Sequence, residues 1–81
     1  MISNEELKER LQNTNEVDYV SVEGDGYHYE LIVVSDSFVG KSPVARQQWV
    51  YSQLKDLITS GTLHALSMKT LTKDEWEKKH G

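Results

Sequence analysis

The chain contains no cysteine, which excludes disulfides, a thiolate-ligated zinc site and a cysteine nucleophile within it. Any metal must therefore meet His, carboxylate or a partner's thiol. No apolar run approaches the ~18 residues of a membrane helix, and Met1-Ile2 is followed at once by polar residues, unlike a secretory leader. A cytoplasmic location with no membrane partner is expected. Positive charge is also scarce: nine Lys and Arg stand against thirteen Asp and Glu, a net −4, which argues against a general nucleic-acid binder because nonspecific affinity comes mostly from neutralising phosphates. No P-loop is present, and no serine sits in a Gly-x-Ser-x-Gly context. Hydrolytic and nucleotide-transfer chemistry have no residues to carry them, and the chain is expected not to be an enzyme.

What is present suits one small globular domain spanning residues 1–81. Hydrophobic residues make up 37% and charged residues 27%, with Trp49, Trp76 and four tyrosines as anchors, enough to form a single core. The charge is unevenly divided. Residues 1–36 hold nine acids and two bases, whereas residues 37–81 hold four acids and seven bases, so one face can still be basic.

Ser3-Asn4-Glu5-Glu6 is a capping box, with Ile2 and Leu7 as its staple, and starts a short helix that buries Leu7 and Leu11 and stops near Asn13-Thr14-Asn15. Val17 to Glu23 alternates as a half-buried strand. Tyr27 to Val34 begins in alternation and ends as the apolar run Leu31-Ile32-Val33-Val34, the mark of a central strand. Gly24-Asp25-Gly26 between them supplies the positive φ of a tight hairpin. Ser42-Pro43 starts a second helix, expected to bury Val44, Val50, Tyr51, Leu54, Leu57 and Ile58 over four turns and to end at Gly61. Trp49 falls off that stripe, either as an exposed contact residue or packed by the Phe38-Val39 loop. Leu63 to Leu71 reads as a third strand, and Thr72-Lys73-Asp74-Glu75 as another capping box, with Leu71 and Trp76 as staple and Lys78, Lys79 and His80 at the cation-favouring helix end.

The fold class is thus α+β, a single α-β-β-α-β-α domain with a three-stranded mixed sheet. A crossover of the length of the Ser42 helix joins parallel strands, so the second and third strands start at the same edge of the sheet. That brings His28 and His64 together, on strands ~4.8 Å apart, and imidazole suits iron, zinc and copper. Two ligands do not complete a four-coordinate site. The plainer reading leaves His28 a solvent-facing strand residue and His64 a partly buried one. Asp25 reads as a turn residue before it reads as an oxygen ligand. Lys41, Arg46, Lys55 and Lys69 form either a solvated face or a basic patch for DNA, the latter without the Gly-x-x-Gly clamp of KH domains.

Three segments carry a resemblance. Tyr27-His28-Tyr29-Glu30-Leu31-Ile32-Val33-Val34-Ser35, the Phe38-Val39-Gly40-Lys41-Ser42 stretch before the helix, and His64-Ala65-Leu66-Ser67-Met68-Lys69-Thr70-Leu71-Thr72 with Glu75-Trp76 resemble the BolA-like family over nearly the whole chain. The resemblance implies a fold related to the class II KH type. It also implies pairing with a monothiol glutaredoxin, the two chains sharing a 2Fe–2S cluster to which the glutaredoxin and glutathione supply thiols. No cofactor is expected in the isolated chain, which is expected to be a monomer or weak dimer when free. The histidine that matches the family's ligand near the third strand is His64, and His28 is the nearest candidate for the ligand at the first hairpin. Family members are also described as transcription regulators and stress-response proteins, which keeps DNA as an alternative partner.

Overall fold

The structure, a computed structural model, describes residues 1–80 without the His80 side chain, so the expected cation at His80 lies outside the described residues. Its elements are α1 (Asn4–Gln12), β1 (Tyr19–Gly24), β2 (His28–Val34), a 3-10 turn (Asp36–Phe38), α2 (Pro43–Gln53), α3 (Lys55–Thr59), β3 (Ala65–Leu71) and α4 (Lys73–His80). The sheet order is β1-β2-β3, with β1 antiparallel and β3 parallel to the central β2. The mixed three-stranded α+β architecture read from the sequence is therefore the one observed.

Alternation along β2 divides the sheet. Tyr29, Leu31 and Val33 are buried on one face with Val20, Leu7, Leu11, Val50, Leu54, Phe38 and Leu63. His28 and Glu30 are exposed on the other. Tyr29 is fully buried because its hydroxyl donates to the Ile2 carbonyl, which satisfies the polar tip of an otherwise apolar ring. At the far end of the open face, α4 folds back over the sheet: Trp76 stacks on Tyr19 at 4.9 Å between centroids, and Val34 is buried outside the main core.

The caps follow the sequence closely. Ser42 accepts from the Ala45 N–H at 3.1 Å, with Pro43 at the first helical turn. The second capping box is complete, with the Thr72 hydroxyl accepting from the Glu75 N–H at 3.2 Å and the Glu75 carboxylate from the Thr72 N–H at 2.7 Å. In the first box Ser3 accepts from the Glu6 N–H at 3.1 Å, but the Glu6 carboxylate accepts from the Ser3 hydroxyl and not from its backbone. Within the hairpin only Gly26 has positive φ, at 99°. Gly24 is a strand residue whose missing Cβ would lie 2.6 Å from the His28 carbonyl oxygen, so close approach and not backbone freedom requires glycine there.

The middle helix differs from expectation. It breaks at Leu54 (φ −113°, ψ 8°) into α2 and α3, and Val44, Tyr51 and Ile58 are exposed. At about 100° per residue the six apolar positions span a wide arc, with Val50, Leu54 and Leu57 in one half and Val44, Tyr51 and Ile58 in the other. The helix is rotated toward the first half because Trp49 packs edge-on against Phe38, 5.9 Å between centroids. An indole buries more apolar area than a valine, so the aromatic pair sets the rotation. The Trp49 packing by the Phe38 loop is thus the alternative that holds.

Candidate functional site

Parallel pairing sets His28 opposite Ala65, and the Ala65 N–H donates to the Tyr27 carbonyl at 3.2 Å. His64 therefore stands one position before β3, at the same sheet edge where His28 begins β2. Both side chains are exposed. The His28 Nε2 lies 3.2 Å from the Ser67 hydroxyl on the open face, whereas His64 makes no hydrogen bond or ion pair among the described residues. His64 is not the partly buried residue of the plainer reading.

The hairpin holds His28 from below. Asp25 accepts from the Tyr27 N–H at 2.9 Å and from the His28 N–H at 3.0 Å. These backbone donors, His28 first, hold the Asp25 carboxyl below its ordinary range. Asp25 is a turn residue, as its Gly-Asp-Gly context suggests. A shallow groove of about 250 Å³ lined by Glu23, Gly24, Asp25, His28 and Glu30 adjoins it, and its three carboxylates give this end of the open face a negative potential. Glu23 and Glu30 are directly paired across β1 and β2.

Among the described residues no group of three or more His, Cys, Asp or Glu side chains could hold a metal ion. Both imidazoles are exposed at this edge, but they stand out of phase: His28 shares the open face with Ala65 and Ser67, whereas His64 falls in the alternate set with Leu66 and Met68. Ser67 was not singled out from the sequence, although the parallel register that relates His28 to Ala65 would have placed it two residues along the same face.

The four cations do not gather. Arg46 is 12% exposed and spans three acceptors: its Nε donates to the Lys41 carbonyl at 3.0 Å, and one terminal nitrogen donates to the Thr70 carbonyl at 3.2 Å and to the Glu75 carboxylate at 2.8 Å. Its guanidinium also lies 5.9 Å from the Phe38 ring centroid. This is a latch between α2, β3 and α4, and the solvated reading of Arg46 does not hold. Lys69 pairs with Ile32 on the open face of the sheet, whereas Lys55 lines a groove beside Tyr51 and Ile58 on the helical side. Lys41 precedes α2.

Comparison with known proteins places these features in context. The family model for BolA-like protein matches residues 2–75. The acid stress protein IbaG of Escherichia coli is 38% identical over 77 residues, covering 95% of this chain and 92% of its own. A DNA-binding transcriptional regulator BolA of Vibrio cholerae is 37% identical, covering 95% of this chain and 73% of its own. Among solved structures, a bolA protein homologue from Coxiella burnetii superposes with a TM-score of 0.79 at 34% identity, covering 95% of this chain and 99% of that one.

Proposed function

From the fact that this chain belongs to the BolA-like family, we propose that it is a non-enzymatic iron–sulfur adaptor, which pairs with a monothiol glutaredoxin and shares with it and with glutathione a 2Fe–2S cluster. The supporting observation is the parallel β2–β3 pairing, which starts both histidine-bearing segments at one exposed edge. His64 and His28 are the residues proposed to hold iron, and the remaining ligands are thiols that this cysteine-free chain lacks. Exposure suits the role, because a shared cluster must be reached from outside. Imidazole in place of thiolate raises the potential of such a cluster, and protonating the imidazole removes a ligand, so a cluster held this way is released more readily as pH falls. Holding and passing on a cluster are both served by that lability. The name of the Escherichia coli relative links it to acid stress.

Anaerobic reconstitution of this protein with a monothiol glutaredoxin, glutathione, iron and sulfide tests the reading. Visible absorption and circular dichroism should differ from those of the glutaredoxin alone and should change in His64→Ala and His28→Ala. A His64→Ala mixture with unaltered spectrum and unaltered cluster lability would sink the ligand assignment.

The alternative, a DNA-binding regulator, draws on the name of the Vibrio cholerae relative. It requires binding that weakens with salt by roughly −0.9 in log K per log salt for each phosphate neutralised. Of the four candidate cations, Lys41, Lys55 and Lys69 remain to contribute to it, since Arg46 is held by the fold.

A further inference from the structure

Val44, Tyr51 and Ile58 recur every seven residues and are 62%, 41% and 39% exposed, along the outer side of α2 and α3. Positions seven apart lie nearly above one another on a helix, which aligns Val44 with Tyr51 along α2, and Ile58 of α3 lines the same groove as Tyr51, so the three side chains form one apolar seam. At the α2–α3 break a groove of about 390 Å³ opens along it, lined by Tyr51, Ile58, Gln48, Ser52, Lys55 and Thr59. The charge around the seam is unusual for this chain. Between Asp36 and Asp74 the sequence has a single carboxylate, Asp56, and that one is ion-paired with Arg10 across from α1. Lys55 sits in the groove and Lys41 stands before the start of the seam. A chain of net charge −4 thus presents one apolar groove that Lys55 lines and no carboxylate lines.

We propose that this seam docks an acidic amphipathic helix of a partner protein, one presenting apolar side chains at i, i+4 and i+7 with carboxylates beside them. Apolar side chains on the partner fill the groove at Tyr51 and Ile58, and its carboxylates meet Lys55 and Lys41. Nucleic acid fits less well, because Lys55 is the one cation lining this mainly apolar groove and Arg46 is occupied between Thr70 and Glu75. A second copy of the chain fits less well too, since pairing the same face with itself brings lysines together and supplies no carboxylate. The seam lies on the helical layer, while His28 and Ser67 face the other side of the sheet. Docking there leaves His28 and Ser67 uncovered and does not rest on the proposed cluster reading.

The probe is a synthetic helical peptide of about five turns with leucines at those spacings and glutamates elsewhere, with a second peptide carrying lysine in place of glutamate. Each is titrated into the full ¹⁵N-labelled chain and followed by amide shifts. The glutamate peptide should move the amides around Val44, Tyr51 and Ile58. Tyr51→Ser should weaken it by about tenfold while Tyr51→Phe retains it, and Lys55→Glu should weaken it by at least about fivefold and raise affinity for the lysine peptide. Because these side chains are exposed, the variants should keep the wild-type fold and spectrum. Equal binding of both peptides by wild type, shifts confined to the open sheet face, no binding, stronger shifts of the same amides by duplex DNA, or burial of the seam in a dimer of this chain would each overturn the proposal.

Discussion

Replacing Arg46 separates a structural latch from a nucleic-acid contact. Arg46→Met keeps an apolar stem and removes the guanidinium, leaving the Lys41 and Thr70 carbonyls without their donor and the Glu75 carboxylate without its cation. The guanidinium is 12% exposed, so water replaces these bonds poorly, although Glu75 at 47% exposed recovers much of its hydration. Bonds to a charged donor contribute about 1.5–3 kcal/mol each when buried, and solvent at the Glu75 end lowers the total, so a loss of about 2–4 kcal/mol is expected. For a domain of this size that lowers Tm by roughly 10–25 °C. Urea unfolding followed by tryptophan fluorescence reads it directly, with the m-value unchanged if the unfolded state is unaffected. Arg46→Lys keeps the charge but cannot span three acceptors, and should recover no more than about half. A loss below about 0.5 kcal/mol for Arg46→Met, or full recovery by lysine, would refute the latch.

Thr72→Ala removes the cap of α4 and should cost about 1 kcal/mol in urea unfolding, with loss of helical ellipticity confined to a few residues. Glu75 and Asp25 have carboxyls held below their ordinary range, Glu75 first by the Thr72 N–H and then by Arg46, Asp25 by the His28 and Tyr27 N–H groups. Their stabilisation is present above the unfolded carboxylate range and is lost as pH falls through the lower folded values; urea midpoints measured against pH should decline only under strong acid, and less steeply in Glu75→Gln. Gly24→Ala forces a Cβ to within 2.6 Å of the His28 carbonyl, so it should destabilise by more than about 1 kcal/mol and displace the His28 amide resonance. Leu54→Ala should cost about 2–5 kcal/mol and Ile58→Ser less than about 0.5 kcal/mol, because the first is fully buried and the second is exposed; comparable losses would contradict the rotation of α2–α3.

Elements whose signals are local were legible in the sequence. Ser3, Ser42 and Thr72 each cap the helix their spacing announces, because capping depends only on residues three apart. The topology also followed, since the length of the crossover after Val34 leaves β3 only a parallel partner. The rotation of α2 did not follow, because six apolar positions on a wide arc offered two orientations, and the choice was made by Trp49 against Phe38, eleven residues apart. Arg46 was misread for the same reason. Its acceptors, Thr70 and Glu75, lie on β3 and α4, and nothing in the local spacing reports them. The shared edge of His28 and His64 was legible from topology alone, whereas the Ser67 contact required the register.

The central claim is that His64 and His28 hold iron in a cluster shared with another chain. Pulsed electron paramagnetic resonance of the reduced cluster, reconstituted anaerobically with a monothiol glutaredoxin and glutathione, reads the ligand atoms themselves. Two strongly coupled imidazole nitrogens are expected, one vanishing in His64→Ala and the other in His28→Ala. A cluster with thiolate ligands only, unchanged by either substitution, would contradict the account.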